Sequence, residues 1–266
     1  MILINGEPYT TDVFPDSTRK YTLLKNYDPG VIDVTWCFDD DSETLTLYYI
    51  CRHLREIGCI LDHLWMPYVP NARMDRVKTD EEVFMLKYFA ELINYLGFNS
   101  VVILDPHSNV TPALIRNVRV LSPKPYIQTA VDEIDAENLV LFYPDEGAMK
   151  RYSEMVKHPY LFGVKNRDWS TGVIRSLDVI GDTSLVRDNP VLIVDDICCR
   201  GGTFLSSAVK LRELGASKVY LYVTHCENTM LDGLIPKSDL IDRVYTTDSL
   251  FTKQHEKVRV LQIVSH

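Results

Sequence analysis

The sequence contains no apolar run of the ~20 residues that a membrane-spanning helix requires. Its opening, MILINGEPYT, has neither a basic cluster nor the apolar core of a secretory signal. These absences predict a cytoplasmic protein with no membrane partner. Zinc-type cysteine spacing is missing too. Of six cysteines, Cys198 and Cys199 are adjacent and the others are scattered, so the thiols read as reduced and unpaired. Basic residues (28) are outnumbered by acidic ones (37), the net charge is −9, and no basic stripe occurs. That balance argues against a nucleic-acid surface and means that any polyanionic nucleotide would need metal ions and local Lys or Arg. No P-loop lysine motif, zincin motif or nucleophile elbow is present.

What remains is an ordinary globular composition, 46% apolar and 24% charged over 266 residues, enough for one large domain or two modest ones. Periodicity predicts strands at 31–38, 60–66, 101–104, 139–142, 191–194 and 219–223. It predicts helices at 42–57, stopped by Gly58, at 79–96, and near 146–156 and 203–214. Thr79 and Glu82 are spaced as a capping box. Alternating strands and helices imply parallel sheets covered on both faces. Residues 96–107, LGFNSVVILDPH, line up with 214–225, LGASKVYLYVTH, each with a glycine helix stop, a buried strand and a histidine just past it. The repeat predicts two related α/β halves. The Pro-rich stretch 122–125 is the best boundary, giving domains 1–122 and 123–266. Residues 2–22 read as a hairpin or arm turning near Pro15 and Asp16.

The most informative stretch is 191–204, VLIVDDICCRGGTF. A buried strand leads to Asp195 and Asp196. A small-residue loop of Cys198, Cys199, Arg200, Gly201, Gly202 and Thr203 then opens a helix. Backbone N–H groups and a helix N-terminus aimed at one point suit a phosphate. The two carboxylates suit ribose hydroxyls or a cation. Together these features describe a sugar-phosphate site.

Other strand ends carry chemistry. PYVPNARMDRVK, 67–78, sets Arg73, Asp75 and Arg76 beside Tyr68, and guanidinium forks match polyphosphate oxygens. Asp105 and His107 end a buried strand, where a carboxylate and an imidazole can hold a divalent metal or its water. Asp145 begins a strand-to-helix loop. Lys165 and Arg167 precede a segment, 169–172, that reads as a mobile loop.

Taken in order, these runs resemble the ribose-phosphate diphosphokinase (phosphoribosyl-diphosphate synthetase) family, of which the chain looks like a short divergent member. The 191–204 stretch resembles the phosphoribosyl-diphosphate signature, and 67–78 resembles that family's Pro-Tyr-aromatic-Pro-Tyr-Ala-Arg-Gln-Asp-Arg-Lys segment, with Met74 replacing the glutamine. Asp105 to His107 resembles its Asp-Leu-His metal motif, and 143–148 its Ser-Pro-Asp-x-Gly-Gly run. Phe14 and Asp16 resemble a Phe-x-Asp-Gly-Glu hairpin that reaches the adenine of a neighbouring subunit's ATP. The resemblance implies two tandem phosphoribosyltransferase-like (Rossmann-like) domains with parallel sheets. It implies ATP contacts from Phe14, Asp16, Arg73, Asp75 and His107, and Mg²⁺ near Asp105, His107 and Asp145. Lys165 and Arg167 would be catalytic cations on a closing loop. Asp195, Asp196, Cys199, Arg200, Gly201, Gly202 and Thr203 would hold the sugar phosphate. The implied reaction moves the β,γ-diphosphate of ATP to the anomeric hydroxyl of a ribose 5-phosphate unit, within a homo-oligomer.

One departure bears on the acceptor. The family loop normally reads Asp-Thr-(Ala/Gly)-Gly-Thr, whereas here it is Cys199-Arg200-Gly201-Gly202-Thr203. A threonine suits one terminal phosphate, and an arginine suits more negative charge. The acceptor is therefore either ribose 5-phosphate or ADP-ribose, the latter placing the activity in NAD salvage. Two other readings stand beside this one. A phosphoribosyltransferase would need no ATP segment and no duplicated half. A non-catalytic regulatory homologue would not need Lys165, Arg167, Asp195 and Asp196.

Overall fold

The structure, a computed structural model, describes residues 1–23, 30–167 and 174–263. The chain divides into two compact units, Met1–Ser122 and Pro123–His266.

The first unit opens with β1 (Ile2–Ile4) and β2 (Glu7–Tyr9), joined through Asn5 and Gly6, both at positive φ, the backbone that a tight antiparallel turn needs. A small ribbon follows, β3 (Asp12–Val13) with β4 (Arg19–Lys20). Then come β5 (Val31–Trp36), α1 (Ser42–Glu56), β6 (Ile60–Trp65), α2 (Met85–Leu96), β7 (Ser100–Leu104), α3 (Val110–Leu114) and β8 (Val118–Leu121). The sheet order is β2-β1-β5-β6-β7-β8, parallel from β5 to β8 and antiparallel at β1 and β2. Leu47, Ile50, Cys51 and Leu54 of α1 and Leu86, Phe89, Ala90 and Ile93 of α2 recur at helical spacing and bury against Ile32, Val34, Leu61, Leu64 and Ile103.

The α2 start corrects the predicted helix. Residues 79–84 are turns, and Thr79 and Glu82 form no capping box. The Glu82 carboxylate instead accepts from Lys78 N at 2.7 Å. The helix begins at Met85, and Leu86, Phe89, Ala90, Ile93 and Leu96 are its buried face.

The second unit runs α4 (Lys124–Ile134), β9 (Val140–Tyr143), α5 (Glu146–Tyr152), β10 (Tyr160–Arg167), β11 (Ile174–Ile180), β12 (Pro190–Cys198), α6 (Gly202–Glu213), β13 (Lys218–Cys226), β14 (Arg243–Thr247) and β15 (Val258–Leu261). The sheet order is β11-β10-β9-β12-β13-β14-β15, parallel except for the β10–β11 hairpin. Val191 and Ile193 pack into one core layer, and Leu192 and Val194 into the other. That two-sided burial explains the unbroken apolar run.

Two further expectations change. The strand read as 191–194 extends through Asp195 and Asp196 to Cys198, held by paired register to β13. His225 lies inside β13, buried, with its Nδ1 2.8 Å from Ser249 Oγ, rather than just past the strand. The repeat is otherwise visible: Gly97 and Gly215 follow α2 and α6 at φ +77° and +95°. Residues 169–172 lie outside the described residues.

Candidate sugar-phosphate and nucleotide sites

In the second unit the chain leaves β9 toward β10 on one side, then returns to start β12 on β9's other side. The carboxyl ends of β9 and β12 therefore flank a topological switch point, where open α/β sheets form their ligand crevice. Asp145 follows β9, and Asp195 and Asp196 lie in β12.

Asp145 caps α5. Its Oδ1 accepts from Ala148 N at 3.0 Å, which fixes the carboxylate at the loop. Asp196 is 5% exposed, and its backbone N–H donates to Asp195 Oδ1 at 3.0 Å. Burial, reinforced by the charges of Asp196 and Asp145, pushes the Asp195 carboxyl well above its usual range. Three mutually repelling carboxylates thus stand beside the glycine loop that follows β12. Arg151, on the last turn of α5, places Nη1 3.4 Å from Asp196 Oδ2. It also donates to the Tyr152 hydroxyl at 3.2 Å.

The loop after β12 is shaped by glycine. Gly201 precedes α6 in the left-handed region, φ +79°, and a Cβ there would lie 2.2 Å from Ile235 Cδ1. Gly233 approaches from the other side, where a Cβ would lie 2.3 Å from the Arg200 carbonyl oxygen. The loop is thus backed by the turns Asn228–Asp232 and Ile235–Lys237. Leu205 N–H donates back to Gly201 O at 3.0 Å as the helix begins. The N–H groups of Gly202, Thr203 and Phe204 have no intrahelical acceptor, so this helix N-terminus is of the kind that can receive an anion. Arg200 is exposed and makes no ion pair with a described residue. Cys199 is half-buried, and its Sγ lies 2.8 Å from Glu227 Oε1.

In the first unit, the loops after β6 and β7 lie side by side. Leu104 N–H donates to Pro67 O at 3.1 Å, and Met66 N–H to Val102 O at 2.9 Å. Asp105 is 3% exposed and held at φ +41°, a backbone that non-glycine residues adopt rarely. His107 is half-buried just beyond it. Asp75 is buried against Arg76 Nε at 3.3 Å, whereas Arg73 is exposed. Tyr68 packs on Phe38, ring centres 5.8 Å apart, so it is part of the core wall. Phe14 is half exposed at the tip of the β3–β4 ribbon. Asp16 folds onto Thr18, whose side-chain and backbone hydrogen bonds lower its pKa.

Lys165 and Arg167 occupy β10, opposite Leu177 and Ile174 of β11. Their side chains lie outside the described residues. Among the described residues, Asp33, Asp62 and His63 are the one group of three potential metal ligands within mutual reach, and they sit within β5 and β6 rather than in the carboxyl-edge loops. Asp105, His107 and Asp145 belong to no such group. Sequence reasoning gave no role to Arg151 or Glu227. Arg151 stands on the last turn of the short helix that Asp145 caps, and its closeness in sequence to Asp145 was a usable signal. Glu227 had none, since its contact with Cys199 depends on strand pairing.

No family model matches the chain. Among curated proteins it is 29% identical over 245 residues to the ribose-phosphate pyrophosphokinase of Thermococcus kodakarensis, covering 90% of this chain and 84% of that one. It is 27% identical over 220 residues to that of Saccharolobus solfataricus, covering 80% and 74%. The chain is a relative of the ribose-phosphate pyrophosphokinases. The crystal structure of phosphoribosylpyrophosphate synthetase from Mycobacterium smegmatis superposes on 96% of this chain and 86% of its own, TM-score 0.80, at 20% identity. The fold is therefore that of the pyrophosphokinase relatives, α/β with two sheets built mainly of parallel strands. Among the described residues, no helix is long and apolar enough to cross a membrane.

Proposed function

We propose that this chain transfers the β,γ-diphosphate of ATP to the anomeric hydroxyl of a ribose 5-phosphate unit, releasing AMP and a sugar 1-diphosphate. The observation that carries this reading is the β12–loop–α6 unit. It places two strand-borne carboxylates a short loop before a left-handed glycine and an open helix N-terminus. In this reading Asp195 and Asp196 hold the ribose hydroxyls. Cys199, Arg200, Gly201, Gly202 and Thr203 receive the acceptor phosphate. Phe14, Asp16, Arg73, Asp75 and His107 contact ATP.

Mg²⁺ fits the donor set, because it binds through one or two carboxylates and substrate phosphates and needs no all-protein cage. Asp105 and His107 of the first unit are candidates to hold it, directly or through water, and so, separately, is Asp145 of the second unit. The ion would neutralise charge on the transferring phosphates. Lys165 and Arg167 supply positive charge to the same group, whose transition state spreads negative charge over several oxygens. The acceptor hydroxyl needs little activation once it lies in line, so positioning dominates.

The acceptor is ribose 5-phosphate or ADP-ribose. Arg200, exposed and with no ion pair among the described residues, favours an acceptor with a second phosphate. We place the active form as a homo-oligomer. Mass spectrometry of products from ATP with each acceptor tests the proposal. A mass gain of one diphosphate on one of them is expected, and no gain on either refutes it.

A further inference from the structure

Leu61 and Leu64 of β6 are both buried, although residues three apart on a regular strand face opposite sides. The register explains this. Ile32 pairs with Leu61 and Val34 with Leu64, so Asp33 stands against two residues, Asp62 and His63. The bulge turns both of them to the outer side of the sheet, where an unbroken strand would send one into the core. His63 Nδ1 then lies 3.1 Å from Asp33 Oδ1 and 3.1 Å from Asp62 Oδ2. The three donor atoms all lie within 4.8 Å of one another. Residues outside the group hold both aspartates in place. Asn99 Nδ2 donates to Asp62 Oδ1 at 2.9 Å, while Oδ2 faces the imidazole. Asn5, in the β1–β2 turn, accepts from Asp33 N–H at 2.8 Å and donates its own N–H to Asp33 O at 2.8 Å.

We infer that Asp33, Asp62 and His63 form a binding site for a first-row divalent metal ion, Zn²⁺ being the best match. Two ligands that are each about 2.0–2.1 Å from one ion stand roughly 2.8–3.4 Å apart in octahedral or tetrahedral geometry. Both imidazole–carboxylate separations fall in that range. The imidazole sets the group apart from an acidic surface patch. Nitrogen donors suit Zn²⁺ and its first-row neighbours, whereas Mg²⁺ and Ca²⁺ take oxygen. Asp33 and His63 are exposed, so water completes the coordination. Asn99 is the outer residue that aims a ligating carboxylate. The ion cross-links β5 and β6 where the bulge interrupts their ladder, and it offsets the repulsion of two carboxylates facing each other across strands. Its role is to hold the sheet of the first unit, and it takes no part in the proposed transfer.

The test needs neither ATP nor acceptor. The full chain is freed of metal with a chelator and titrated calorimetrically with Zn²⁺, with a melting curve before and after. Wild type is expected to bind one Zn²⁺ that a hundredfold excess of Mg²⁺ does not displace, and to melt several degrees higher once saturated. His63→Ala and Asp33→Asn are each expected to weaken this binding tenfold or more and to abolish the rise in melting temperature. Asn99→Ala, which removes no ligand, is expected to weaken it about tenfold. His107→Ala, in the loop after β7, is expected to leave Zn²⁺ binding unchanged. Should His63→Ala fail to fold without metal, His63→Asn gives the same comparison. A wild type that binds no Zn²⁺, full displacement by Mg²⁺, or binding in His63→Ala equal to that of wild type overturns the inference. Loss of the bound ion in His107→Ala would assign it to the carboxyl edge and overturns the inference as well.

Discussion

Arg151 Nη1 lies 3.4 Å from Asp196 Oδ2, with the guanidinium also 5.4 Å from the Tyr152 ring centre. The pair links the far end of α5 to the acid step of β12, while Asp145 caps the near end of the same helix. A short helix thus fixes two of the three carboxylates at the crevice. Removing the cation leaves Asp196, which is almost fully buried, without that charge. Arg151→Met should cost about 1–3 kcal/mol, less than for a fully buried pair because a quarter of Arg151 is exposed. It should weaken acceptor binding as well. Denaturant unfolding and acceptor calorimetry check both. Unchanged stability would mean that the contact is incidental.

Asp195 predicts a pH dependence of opposite sign to that of a salt-bridged aspartate. Burial first, then Asp196 and Asp145, raise its folded pKa above the unfolded value. Its stabilising contribution is complete below the ordinary carboxylate range and is lost as pH rises through the raised folded value. Asp195→Asn should therefore melt higher than wild type at neutral pH, by about 2–4 °C for each kcal/mol relieved. The gain should vanish in acid. A variant that melts lower at neutral pH contradicts this.

Lys165→Ala and Arg167→Ala should each lower kcat strongly, with little change in acceptor binding. Cations that meet the phosphates mainly in the transition state behave so, and one lost donor costs roughly 3 kcal/mol, about a hundredfold or more. Steady-state kinetics with ATP and acceptor separate the cases. A tenfold rise in KM at unchanged kcat would make these residues substrate binders only.

Arg200→Thr separates the two acceptors. If the acceptor carries a second phosphate, the substitution should weaken it by about 1.5–3 kcal/mol, the range for hydrogen bonds to charged groups. Ribose 5-phosphate should be used equally well or better. The measurement is kcat/KM for both acceptors, with a melting curve as control. A parallel loss for both removes the case for ADP-ribose.

The fold was largely legible because its central strands, β7, β9, β12 and β13, are buried on both faces and its helices on one. The runs at 191–194 and 101–104 and the glycine stops at Gly97 and Gly215 all report that burial directly. Boundaries set by long-range partners were not legible. Charged Asp195 and Asp196 break the apolar run, yet β13 carries the strand past them to Cys198. Thr79 and Glu82 have capping spacing, but the helix waits until Met85. In the site, local motifs such as Asp145 before α5 and Gly201 before α6 were readable as capping and turn chemistry. The contact of Glu227 with Cys199 crosses between strands, and no local pattern encodes it.

The central claim is diphosphate transfer, and the nucleotide product tests it most directly. ATP, Mg²⁺ and acceptor are incubated with the protein, and AMP and ADP are separated and counted against acceptor consumed. The account predicts one AMP for each acceptor converted and no matching ADP. ADP accumulating in step with acceptor turnover would contradict it.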